Sequence, residues 1–209
     1  MSPPKQSIAG LASVPTEAGT ERPSSDAGTQ AMIDERNLIN EANWAFAKRI
    51  YAKPAVAEAC LTLQERADAD VILLLTILFF AKRGAVISLS QAAELRTLCY
   101  PWRQEVVMPL RALRVKIKSA PYPAPSETTE LLRSEIKKCE LFAEKTESDL
   151  VATWYHRNCD TFASRLTHDP MDQMRAIFEY LLGNPSDRIV LSAAEIVVDA
   201  ALVEPQQVP

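Results

Sequence analysis

Apolar residues in this chain recur at intervals of three and four, the spacing that places side chains on one face of an α-helix. Val106, Leu110, Leu113 and Ile117, separated by 4, 3 and 4 positions, are the clearest case. The sequence holds no alternating Val/Thr/Tyr run and no Asn-Gly hairpin signal, so strands have no support in it. The pattern predicts a first helix over 37–52, with Leu38, Trp44, Ala45, Ile50 and Tyr51 as its apolar positions. Pro54, suited to a first helical position, opens a second, "AVAEACLTLQERA", with Val56, Cys60, Leu61 and Leu63 near one face.

The third predicted helix, 70–83, contains the most apolar run, 11 residues from Val71 to Ala81 interrupted only by Thr76. A membrane-spanning helix needs about 20. The run is therefore read as a helix buried on nearly all sides, with Asp68 and Asp70 at the end where carboxylates suit the helix dipole. Ser90 is the predicted cap of a fourth helix, "QAAELRTLCY", with Glu94 close by. The fifth, "PWRQEVVMPLRALRVKIKSA", contains Pro109, which removes a backbone hydrogen bond and predicts a kink. "PYPAP" at 121–125 is a stiff break. A long sixth helix follows from Ser126 to Arg157, with an apolar stripe of Leu132, Ile136, Cys139, Ala143, Thr146, Leu150 and Trp154. Asp169 and Pro170 begin a seventh, and "SAAEIVVDAAL" is a short eighth.

Residues 1–36 hold four prolines and three glycines among scattered Ser and Thr. Such a stretch buries too little apolar surface to offset its ordering entropy. The expectation is an all-α protein: a single irregular helical bundle of seven or eight helices over 37–203, with disordered tails at 1–36 and 204–209. Only Gly84 and Gly183 fall inside the bundle, each just past an apolar helical pattern where a left-handed C′ residue belongs. None is left for a phosphate-binding loop.

Composition narrows the function classes. The net charge of −4 argues against a generally nucleic-acid-binding surface. The first 25 residues contain no continuous apolar segment, so a cytoplasmic protein is expected. Cys60, Cys99, Cys139 and Cys159 form no C-x-x-C pair and are expected as reduced thiols.

No cofactor is expected. His156, Cys159 and His168 would need a fourth ligand to hold zinc, and none is nominated. No G-x-S-x-G elbow and no Glu-x-x-His pair occurs, so an enzyme is not indicated.

One charge cluster stands out. From Arg96 to Lys118 there are six positive residues and one negative, a local +5. Arg103, Arg111, Arg114 and Lys118 share a helical face beside the apolar stripe. Together with Trp102 they are the expected contact surface of a non-enzymatic adaptor for an acidic or phosphate-bearing partner. The competing reading pairs them with Glu127, Glu130, Glu135, Glu140 and Glu144 of the long helix. Two other classes stay open: a carrier or small enzyme with a lipid-like ligand between its helices, and an RNA- or DNA-associated protein.

"YAKPAVAEACLTLQ" (51–64), "ADVILLL" (69–75) and "PWRQEVVMPLRALRVKIK" (101–118) resemble an uncharacterised proteobacterial family of short all-helical proteins, domain-of-unknown-function family twenty-three-ninety. The chain departs from the family pattern at Ile72, where members carry Asn, and at Phe79, where they carry Trp. The resemblance implies an all-α cytosolic bacterial protein and assigns no activity, cofactor or site residue.

Overall fold

The computed structural model describes residues 25–119, 126–159, 170–183 and 185–203. Every described element is helical: α1 Ser25–Tyr51, α2 Pro54–Ala67, α3 Val71–Lys82, α4 Leu89–Trp102, a π turn Arg103–Val107, α5 Met108–Ser119, α6 Ser126–Arg157, α7 Pro170–Leu181 and α8 Arg188–Leu202. The expected seventh-helix cap Asp169 and the "PYPAP" break lie outside the described residues.

α3 is the axis of the molecule. Ten of its twelve residues are buried, including Thr76, because α1, α2, α4, α6, α7 and α8 all lie against it. A helix enclosed on every side needs no polar face, which is why this stretch reads as continuously apolar. Each large side chain that it buries stabilises the fold by roughly 2 kcal/mol. Asp70 caps it, accepting from the Leu73 N–H at 3.0 Å. Among the described residues no helix is long and apolar enough to cross a membrane.

α1 begins at Ser25, N-terminal of the expected start. Past Pro23, "DAGTQAMIDER" is mostly made of good helix formers, and the helix already present at 37–51 spares it a nucleation step. The cap of α4 is Ser88 rather than Ser90. The Ser88 hydroxyl accepts from the Gln91 N–H, and the Gln91 side chain returns to the Ser88 N–H, forming a capping box. Glu94 instead accepts from the Trp154 indole at 2.8 Å. Gly84 and Gly183 do adopt positive φ, 87° and 77°.

α5 and α6 form an antiparallel hairpin, and α2 lies along α8. The C-terminal carbonyls of α8 are met by two lysines, Lys53 of the α1–α2 turn to Ala200 at 3.3 Å and Lys82 of α3 to Ala201 at 2.9 Å. A buried polar knot joins three helices: Asn43 of α1 donates to Ser148 of α6 at 2.8 Å, and Ser148 lies 3.3 Å from Thr76 of α3.

Candidate functional site

Pro109 has no N–H to offer the Glu105 carbonyl, and its ring crowds that oxygen. The backbone answers with the π turn over Arg103–Val107, closed by the Met108 N–H donating to the Arg103 carbonyl. The predicted kink is thus an extra residue wound into the helix. It shifts the inward face of all that follows: Leu113 is exposed, while Arg111 and Arg114 turn toward α6. π turns inside α-helices recur at functional sites.

The turn drives Arg103 inward, where it is 8% exposed. Its guanidinium grips the elbow between α2 and α3, donating to the Asp68 carboxylate at 2.6 Å and to the Asp68 carbonyl at 3.0 Å. Asp68 holds a positive φ of 47°, unusual for a residue other than Gly, so Arg103 clamps a strained corner. Further along, Arg111 donates to Glu140 at 2.9 Å and to Glu144 at 2.6 Å, and Arg114 donates to Glu140. Trp102 donates its indole N–H to the Ala143 carbonyl at 2.9 Å. Of the five residues nominated as a contact surface, four therefore reach back into the molecule. Lys118 is exposed on α5.

The inward face of α6 is a ladder of carboxylates, Glu140, Glu144 and Glu147. Burial alone would raise the pKa of Glu140, but hydrogen bonds from Arg114 and Arg111 outweigh it and hold the group below the usual range. Burial wins at Glu144, which is pushed up. Glu147 is 1% exposed. It is pushed well above the usual carboxylate range, first by desolvation and then by the neighbouring Asp70 charge, with Arg103 opposing. Its Oε1 has no hydrogen-bond partner among the described residues. An ionised Glu147 would be a buried charge beside a second carboxylate, so the neutral acid is the form that fits.

A half-open cleft of about 630 Å³ begins where Arg103 meets the elbow. Ala67, Pro101 and Leu181 supply apolar walls that solvent reaches, over a floor of Leu73, Leu74 and Leu182 that is already buried. Asp68, Asp70 and Arg103 line one side, while Arg96, Thr97 and Tyr100 of α4 line another. Volumes of roughly 300–1,000 Å³ with apolar walls and a few convergent polar groups are the usual form of small-ligand sites. The sequence nominated Arg103 for its charge but missed the cleft, which joins segments some 110 residues apart (73 and 183).

His156 and Cys159 are described and His168 is not. Among the described residues no group of three His, Cys, Asp or Glu is placed to hold a metal ion.

The family model described as "Protein of unknown function (DUF2390)" matches residues 42–151, which is 110 of the 209. The chain belongs to this family. The match takes in the elbow, α4, the π turn and the carboxylate ladder, and stops short of the α7 wall of the cleft. No curated protein and no solved structure matches the chain.

Proposed function

We propose that this member of the DUF2390 family binds a small molecule in the cleft between the α2–α3 elbow, α4 and the end of α7. The observation that carries the reading is the cleft itself: 630 Å³ of space, apolar walls and a buried arginine at a π turn on its rim. A ligand there would lie over Leu73 and Leu74 of α3, which the fold already buries. Four free thiols, two of them buried, support a reducing, cytoplasmic setting.

The test is native mass spectrometry of protein purified gently from its own host, beside a variant in which Thr97→Trp fills the cleft. Thr97 is exposed and its hydroxyl bonds only within its own helix, to Ala93, so the substitution spares the core. An added mass on wild type that is missing from the variant supports the reading. Bare protein from both, with no thermal shift of wild type in a small-molecule extract of the host, refutes it.

A second reading keeps a partner surface on the outward side of α5. Lys118 is exposed there, and Leu113 and Val115 are 46% and 51% exposed. Trp102, Arg103, Arg111 and Arg114 would then position α5 rather than touch the partner. Lys118→Glu should release a captured acidic partner; retention of that partner by the variant would end the reading.

A further inference from the structure

We propose that the cleft takes an amphiphile with an anionic head, a carboxylate or a phosphate, held by Arg96 and Tyr100 of α4 with its apolar body against Ala67, Pro101 and Leu181. The proposal rests on the cleft reading above and names the ligand class.

The fold already uses the polar side chains on one side of the cleft and leaves over those on the other. On the elbow side Arg103 and Asp68 are bonded to each other. Asp70 Oδ1 accepts from the Leu73 N–H, and the carboxylate faces Glu147. These groups hold the corner together; the Asp68 carboxylate, 72% exposed, keeps spare acceptors but offers a ligand no donor.

On the α4 side the situation is reversed. Among the described residues Arg96 makes no ion pair and no hydrogen bond; its guanidinium lies 5.2 Å from the centroid of the Tyr180 ring. Stacking on a ring engages the flat face of a guanidinium and leaves its edge of N–H donors open. The Tyr100 side chain is likewise exposed and makes no hydrogen bond to a described residue. Arg96 and Tyr100 are four apart, so they share a helical face, and both line the cleft. The spare side-chain donors are thus an exposed cation and a hydroxyl beside Ala67, Pro101 and Leu181. A planar, bidentate fork suits a carboxylate or phosphate, and the apolar wall suits a hydrocarbon.

The probes are decanoate, decyl phosphate, decylamine and decanol, each titrated below its micelle concentration or, for decanol, its solubility limit into the full chain by calorimetry. Decanoate or decyl phosphate should bind at least tenfold tighter than decanol and decylamine; whichever of the two leads identifies the head. Arg96→Gln should erase that tenfold preference while leaving decanol unchanged, which also shows that the variant is folded. Thr97→Trp should remove all binding. Decylamine binding as tightly as decanoate, or an anion preference that survives Arg96→Gln, overturns the proposal. Equal binding of all four heads that Thr97→Trp abolishes overturns the head-group assignment and leaves the cleft reading standing. Binding indifferent to Thr97→Trp overturns both. No binding of any probe overturns the amphiphile, and the native mass measurement then judges the cleft alone.

Discussion

Glu147→Gln offers a sharp measurement on the interior. The wild-type carboxyl is 1% exposed beside Asp70, and desolvation raises its pKa. In the unfolded chain the same group titrates near its ordinary value of 4.5. Below that pH it is protonated in both states and carries no pH dependence. Above it, unfolding releases a proton that the fold retains, so each further pH unit removes about 1.4 kcal/mol of stability. If the proton is still held at pH 7, the accumulated loss is about 3 kcal/mol. Gln keeps the shape of the neutral acid, donates to Asp70 and does not titrate. Urea unfolding of both proteins at pH 5, 6, 7 and 8 should therefore show the variant gaining on wild type by about 1.4 kcal/mol per unit. The gain levels off where the folded carboxyl itself ionises. Groups common to both proteins, such as Glu144 and His156, cancel in the difference. A stability difference that stays constant from pH 5 to 8 would refute the argument, because it would mean that Glu147 is ionised in the fold.

Other perturbations test neighbouring parts of the structure. Arg103→Gln should cost about 2 kcal/mol through its bonds to the Asp68 carboxylate and carbonyl, whereas Lys118→Ala should stay within about 0.5 kcal/mol; chemical denaturation reads both. Glu140→Ala leaves Arg111 and Arg114 without a shared partner and should cost about 3 kcal/mol. A double-mutant cycle with Arg114→Ala should return a coupling of more than about 1 kcal/mol. Burial pushes the Cys60 thiol up to about 12 and raises Cys99 as well. A chromogenic disulfide should therefore titrate Cys139 and Cys159 quickly in the folded protein and all four thiols in urea. Four fast thiols in the folded state would contradict the buried positions.

What the sequence made legible was the helices, because each apolar helix face repeats with a fixed period. The start of α6 follows from the Pro-rich break before Ser126, and the enclosure of α3 from a continuous apolar run with no polar face. The faces of α1 and α6 were less legible. On α6 Leu132 and Cys139 are exposed, and the inward positions include Glu140, Glu147 and Ser148. On α1 Leu38 is exposed and Asn43 is fully buried. A pattern read from hydrophobicity misses a face that is lined with partnered polar groups, since the partners come from distant segments. Arg103, Arg111 and Arg114 show the same point from the other side: their charge was visible and its internal destination was not. The π turn was half legible, as Pro109 announced a disruption but not its form.

The enclosure of α3 also governs when this protein can fold during synthesis. Its apolar surface is covered by α1 and α2 from before it and by α4, α6, α7 and α8 from after it. The last of these spans Arg188–Leu202. The most apolar stretch of the sequence thus leaves the ribosome more than a hundred residues ahead of its final cover (82 against 188). Until α8 arrives, part of the apolar surface of α3 stays open to other chains.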